Sequence, residues 1–198
     1  MEDTSLEVHL EDLIETLAVA QSKSPAYFVG HSLGAMISMV LALHEPQWVE
    51  SVFAASLPGK VLPQVVHSFN FFMKGPKQAL QASGISRHLA WRERTLLEMP
   101  EFTLKEISRQ FGKVDLRDEF VKVKCPVHLA VGRFDPVAVC WQVRRMHERL
   151  SNSTLTVFEW SGHNFMDAIP DKFNEWIVSR INDDGTEKNL STSKSTSA

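Results

Sequence analysis

Three side chains in this 198-residue chain have the types and settings for nucleophilic acyl chemistry: Ser32, Asp135 and His163. Ser32 lies in Gly30-His31-Ser32-Leu33-Gly34, a Gly-x-Ser-x-Gly pentapeptide. Such a pentapeptide is common by chance, so its surroundings carry the argument. A short apolar run, Ala26 to Gly30, enters it, and a run of helix formers from Leu33 leaves it. A serine on so sharp a strand-to-helix turn is lifted above the C-terminal edge of a sheet. Gly30 and Gly34 are both expected to be there because a Cβ at either place would collide with the neighbouring strand or helix. The helix start points free N–H groups at the site, and the Leu33 N–H is expected to be one oxyanion donor.

A serine hydroxyl is a poor nucleophile unless a base takes its proton. His163, in Trp160-Ser-Gly-His-Asn-Phe165, follows an apolar strand and a glycine, a setting that the other seven histidines lack. The base must in turn be oriented, usually by a buried acid. Asp135, in Val131-Gly-Arg-Phe-Asp-Pro136, follows another strand at its C-terminal end. Plainer roles compete with these. Ser32 could be a helix cap, Asp135 a turn residue before Pro136, and His163 a loop histidine exposed to water. The order and setting of the three loops favour the catalytic reading. Asp167 lies on the same loop as His163, a poor place from which to orient its ring. His31 is expected to pack under the helix without a catalytic role.

The elements that must position these residues read as an alternation of strands and helices. Residues 5–20 form an amphipathic helix, with Thr4 or Ser5 as cap and Lys23-Ser24-Pro25 as the break after it. Ala26–Gly30 is a strand, and Leu33–His44 is a helix apolar nearly all round, which demands burial on most sides. Val49–Ser56, Val127–Val131 and Leu155–Trp160 are further strands. A helix from about Pro136 to Leu150 joins the last two, and a final helix spans about Asp171 to Ile181. This rhythm predicts a parallel sheet with right-handed crossovers. Residues 58–112 break it: they contain no good strand and read as three or four helices with Phe69, Phe72, Met73, Leu89, Trp91, Leu96, Leu97, Met99, Phe102, Ile107 and Phe111, none of them singled out as a substrate contact. A segment this long between two strands is expected to be an inserted helical lid.

With 43% hydrophobic and 23% charged residues, the composition excludes a disordered chain, a collagen and a protein built from membrane spans. A net charge of −3 gives no reason to expect nucleic acid or an anionic membrane as partner. Cys125 and Cys140 read as two small apolar residues rather than a disulfide or a metal pair. Metal-ligating residues do not cluster in the sequence. The acidic start, Met1 to Ser5, has no apolar run behind it, so no signal peptide is expected and a cytoplasmic location is.

On these motifs the chain resembles the α/β-hydrolase superfamily, in the branch with a helical cap. Tyr27-Phe-Val-Gly-His-Ser-Leu-Gly34 is similar to its nucleophile elbow, and His44-Glu-Pro-Gln-Trp-Val-Glu-Ser-Val52 to the run into the next strand. Val123-Lys-Cys-Pro-Val-His-Leu-Ala-Val-Gly-Arg-Phe-Asp135 is similar to the strand carrying the acid, and Trp160-Ser-Gly-His163 to the histidine loop. The resemblance runs from about residue 5 to 181. It implies the C-terminal part of an α/β-hydrolase fold: core residues 1–57, a cap over 58–112 and core residues 113–182; the tail over 183–198, almost without apolar residues, is expected to be disordered. It implies a serine hydrolase of esters, thioesters or amides with a small or medium apolar acyl group, using Ser32, His163 and Asp135 and no cofactor or metal. The family places a His-Gly-type loop, source of the second oxyanion donor, after its third strand. The first glycine here is Gly30, so the first four strands are expected to be missing, with Ala26–Gly30 a sheet edge prone to self-association. Two other readings stay open: a truncated, weak or inactive isoform, and an acyltransferase or cofactor-free lyase on the same fold.

Overall fold

A computed structural model of the chain describes residues 5–20, 25–85 and 91–195. Thr4, Lys23, Ser24 and Leu89 lie outside these. The described residues form one four-stranded sheet in which sequence order is also spatial order and every neighbouring pair is parallel. Its strands are β1 (Ala26–His31), β2 (Val49–Ala55), β3 (Val127–Gly132) and β4 (Ser153–Phe158). Helices α1 (Leu6–Val19) and α2 (Leu33–His44) flank β1 in the chain. Four helices follow β2: α3 (Pro63–Lys74), α4 (Pro76–Ala82), α5 (Trp91–Glu98) and α6 (Glu101–Lys113). The short α7 (Arg117–Phe120) precedes β3, α8 (Cys140–Arg149) links β3 to β4, and α9 (Phe165–Ala168) and α10 (Pro170–Ser195) close the described chain.

The central strands are mostly apolar because both their faces are covered. On one face Val52 and Ala54 of β2 and Val127, Leu129 and Val131 of β3 meet Met36, Met39 and Leu41 of α2, Val143 and Met146 of α8, and Phe120. On the other, Phe53, Ala55 and Ala130 meet Phe165 and Trp176. That division explains why α2 is apolar nearly all round: Ala35, Met36, Met39 and Leu41 have no exposed surface. β1 is an edge of the described sheet, and its Tyr27 and Val29 are 38% and 50% exposed.

Several element boundaries differ from the sequence expectation; β1 and β3 each run one residue further, to His31 and Gly132. β4 lies two residues earlier, because the register runs from Val127 opposite Ser153 to Gly132 opposite Phe158. Trp160 is therefore past the strand end and 91% exposed. α8 starts at Cys140 rather than near Pro136, since the Asp135 carboxylate accepts from the Val137 and Ala138 amides at 2.8 and 2.9 Å and holds them in a turn. β2 stops at Ala55, one residue short, where Ser56 turns into positive φ. The last helix continues past Ile181 to Ser195, through the stretch expected to be disordered. Composition reports on burial, whereas extending a helix from packed turns adds one hydrogen bond for each residue fixed. Asp184 also ties the extension to the sheet: its carboxylate meets His128 Nε2 at 3.1 Å, and His128 Nδ1 meets Thr154 Oγ1 at 3.0 Å.

The helical segment leaves and rejoins the core at adjacent points. Lys60 and Asp115 form an antiparallel bridge, the Leu116 amide donates to the Gly59 carbonyl at 2.9 Å, and Lys60 Nζ reaches Asp115 at 3.1 Å. Arg117, bonded to the same carboxylate, is the main reason that the Asp115 carboxyl titrates far below its ordinary value; Lys60 adds to it.

The elbow glycines differ from each other. A methyl on Gly30 would overlap the carbonyl of Gly34 and the amide of Ala35, as expected. Gly34, by contrast, faces open space, and the expected collision there does not exist. Gly30→Ala should therefore destabilise the chain by about 1–3 kcal/mol or more. Gly34→Ala, in a helix that favours Ala, should add about 0.5–1 kcal/mol. Urea unfolding of the two variants separates these outcomes, and equal losses at both positions would contradict the difference in space.

Candidate active site

β1 delivers Ser32 at the C-terminal edge of the sheet, and α2 carries the chain away from it. The turn is sharp: Ser32 has φ 53° and ψ −112°, a conformation that L-residues hold only when the surroundings over-determine it. The Ser32 amide donates to the Ala55 carbonyl at 2.9 Å, tying the turn to β2. The serine makes no side-chain capping bond to α2. Its hydroxyl instead lies 3.1 Å from Nε2 of His163, so the capping role considered from sequence is not the one it adopts.

His163 sits in the loop between β4 and α9, with its ring partly exposed and aimed back at the elbow. Nδ1 of the same ring lies 2.9 and 3.0 Å from the two carboxylate oxygens of Asp135. The Asp135 side chain has no exposed surface. Burial alone would push its carboxyl towards the neutral form. Hydrogen bonds from His163 and the Val137 amide, together with the charge that His163 can carry, outweigh burial and hold it below the usual carboxylate value. Ionised Asp135 fixes the proton of His163 on Nδ1, which leaves the lone pair of Nε2 facing the serine hydroxyl.

The three residues picked out from sequence therefore lie on one hydrogen-bonded line, although they come from the ends of three different strands. Sequence reasoning missed three others. Gly132 ends β3 under the histidine loop, where a methyl would overlap the carbonyls of Ser161 and Gly162. Its only sequence signal was its place three residues before the acid. Ser56 reads in the sequence only as the end of a strand, yet its Oγ donates to the His163 carbonyl at 3.0 Å. His31 does not simply pack beneath the helix: its ring lies 4.7 Å from that of His163, centroid to centroid.

A cavity of about 360 Å³ opens on Ser32 and His163. Its walls are Val65, Val66 and Phe69 of α3, Leu96 of α5, and Leu104, Ile107, Ser108 and Phe111 of α6, with Val61, Met99 and Val137 completing it. No Lys, Arg, Asp or Glu is among its described lining residues. No described helix is long and apolar enough to cross a membrane.

No family model matches the chain. Relatives and solved structures do. The chain is 23% identical over 189 residues to a protein of Caulobacter sp. (strain K31) named carbamate hydrolase RutD, covering 84% of this chain and 69% of that protein. It is 28% identical over 175 residues to the pimeloyl-[acyl-carrier protein] methyl ester esterase of Aeromonas hydrophila, covering 76% of this chain and 68% of that protein. Among solved structures, MGS-M2, an α/β-hydrolase enzyme from a Medee basin deep-sea metagenome, superposes with a TM-score of 0.74 at 19% identity, over 92% of this chain and 74% of that one. Relatives named as hydrolases and a solved α/β hydrolase with the same fold lead to one assignment: the chain has the α/β-hydrolase fold and is an enzyme of the hydrolase type.

Proposed function

We propose that the chain is a serine hydrolase of esters or thioesters whose acyl group is uncharged, apolar and of medium length. The observation that carries this reading is the line from Asp135 through His163 to Ser32, set at the mouth of an apolar cavity. In the proposed reaction the Ser32 oxygen attacks the carbonyl carbon while His163 Nε2 takes the hydroxyl proton. The tetrahedral oxyanion forms at the start of α2, where the Leu33 N–H is one donor. His163 then gives its proton to the leaving alcohol or thiol, and the acyl group stays on Ser32. A water molecule, deprotonated by the same nitrogen, releases the acid. Asp135 stays ionised throughout and stabilises the imidazolium.

The relatives named for carbamate and methyl ester hydrolysis support attack on a carbonyl that bears a heteroatom. The cavity narrows the class. A small polar carbamate would leave most of its apolar wall in contact with water, and a charged acyl end would be desolvated there without a partner. An alkyl chain gains about 0.8 kcal/mol per buried methylene, or about fourfold in binding.

The test is a series of p-nitrophenyl esters from acetate to decanoate, with a carboxylate-ended acyl ester beside it. Values of kcat/KM should rise by about fourfold per methylene until the cavity is full and then fall. The charged ester should be slower than its uncharged counterpart at every length. A profile that is highest at acetate, or that favours the charged chain, would refute the substrate class.

A further inference from the structure

A base on a loop can meet its nucleophile only if its backbone is held in place. In His163 the side chain makes both hydrogen bonds of the catalytic line, so neither of them fixes the main chain that carries it. What does is the His163 carbonyl, which sits between two side chains from other elements. Ser56 Oγ lies 3.0 Å from it and His31 Nε2 also lies 3.0 Å from it. A carbonyl oxygen only accepts, so both groups act as donors and His31 carries a proton on Nε2.

Both donors are themselves fixed in place. Ser56 is fully buried and has φ 49°, a left-handed conformation that costs a serine free energy. Its amide continues the ladder to the Ala130 carbonyl at 2.8 Å. The turn at Ser56 takes its hydroxyl off the line of β2 towards the histidine loop, within reach of Asp135 as well. His31 ends β1 and directly precedes the nucleophile, on a turn that the close approach of Gly30 to Gly34 keeps rigid. The elbow and the histidine loop are therefore tied twice and in opposite directions: Ser32 reaches the His163 ring, and His31 reaches the His163 backbone.

We propose that His31 and Ser56 are positioning residues that clamp the His163 carbonyl and so keep Nε2 in reach of Ser32. This rests on the serine hydrolase reading above. The clamp acts on the reacting geometry and not on the cavity, because neither residue lines it. Losing it should lower kcat and the rate of acylation while KM for a fitting ester barely moves.

The experiment measures fluorophosphonate labelling of Ser32, kcat and KM, and thermal unfolding, for the parent and four variants. His31→Phe keeps a ring and loses the donor; it should acylate about tenfold more slowly, as expected for one hydrogen bond. His31→Gln restores an N–H donor and should recover at least about a third of the parent rate. Ser56→Gly removes the hydroxyl and relieves the positive φ, so it should slow acylation by about tenfold with no loss of melting temperature. Ser56→Ala, which keeps the strain, should be as slow and also less stable. The clamp is refuted if His31→Phe labels at the parent rate, if His31→Gln is no faster than His31→Phe, or if Ser56→Gly is as fast as the parent. A parent that takes up no probe at Ser32 would instead overturn the hydrolase reading, and the clamp with it.

Discussion

Ser32→Ala is expected to lower turnover by about 10⁶-fold and leave the fold intact. Both halves follow from the geometry. The hydroxyl is the group facing His163 Nε2 at 3.1 Å, so its loss removes the attacking atom. It forms no capping bond to α2, so the usual cost of deleting a helix cap does not apply. His163→Ala should fall to a similar floor, because residues acting as a unit are not additive: once one is gone, losing the next changes little. The double variant is therefore expected to match either single one. Steady-state hydrolysis of the preferred p-nitrophenyl ester, with circular dichroism melting alongside, measures all three. A Ser32→Ala protein that still hydrolyses the ester within about a hundredfold of the parent would move the nucleophile elsewhere.

Asp135→Asn has the second largest expected effect, up to about 10⁴-fold in kcat if it behaves as in other triads. An asparagine oxygen can still accept from the Val137 and Ala138 amides, so the turn after β3 should survive. The amide nitrogen would then face His163 Nδ1 and favour a proton on Nε2, which is the wrong nitrogen for a base. The same substitution carries a pH signature. In the folded chain the Asp135 carboxyl is held below its ordinary value. Its contribution to stability is thus complete above the unfolded carboxylate pKa and is lost as pH falls through the lower folded one. The parent should lose stability across and below the carboxylate range, and Asp135→Asn should show a flatter dependence there. Parallel curves in pH-dependent urea unfolding would show that Asp135 has no part in acid sensitivity.

The sequence made the sheet legible where residues obeyed one rule at a time. Val49–Ala55 and Val127–Gly132 are apolar runs between breakers, and they are strands buried on both faces. Trp160 misled because an aromatic after an apolar run extends a strand pattern, while the register of β4 is set by its pairing with β3. Pro136 misled because proline suits a helix start, while the neighbouring carboxylate had already taken the amides. At the site, Ser32, Asp135 and His163 stood out because their chemistry restricts residue type and setting. Ser56, His31 and Gly132 did not, because their roles are relations between segments far apart in the chain. Nothing local to Ser56 shows that its hydroxyl meets the carbonyl of residue 163. Nothing local to Gly132 shows that the Ser161 and Gly162 carbonyls lie where its side chain would be.

The paired stems at Lys60 and Asp115 have a consequence for how such a protein can vary. Everything that faces the cavity from α3, α5 and α6 hangs from one clasp, where Gly59 and Leu116 share a hydrogen bond and Lys60 and Asp115 an ion pair. A cassette of different length and lining could be spliced in there without altering the register of β2 and β3, since insertions whose ends already lie side by side disturb a scaffold least. On the proposed reading, what is cleaved and how it is cleaved are then written on separate stretches of the chain, and the first can drift while the second stands still.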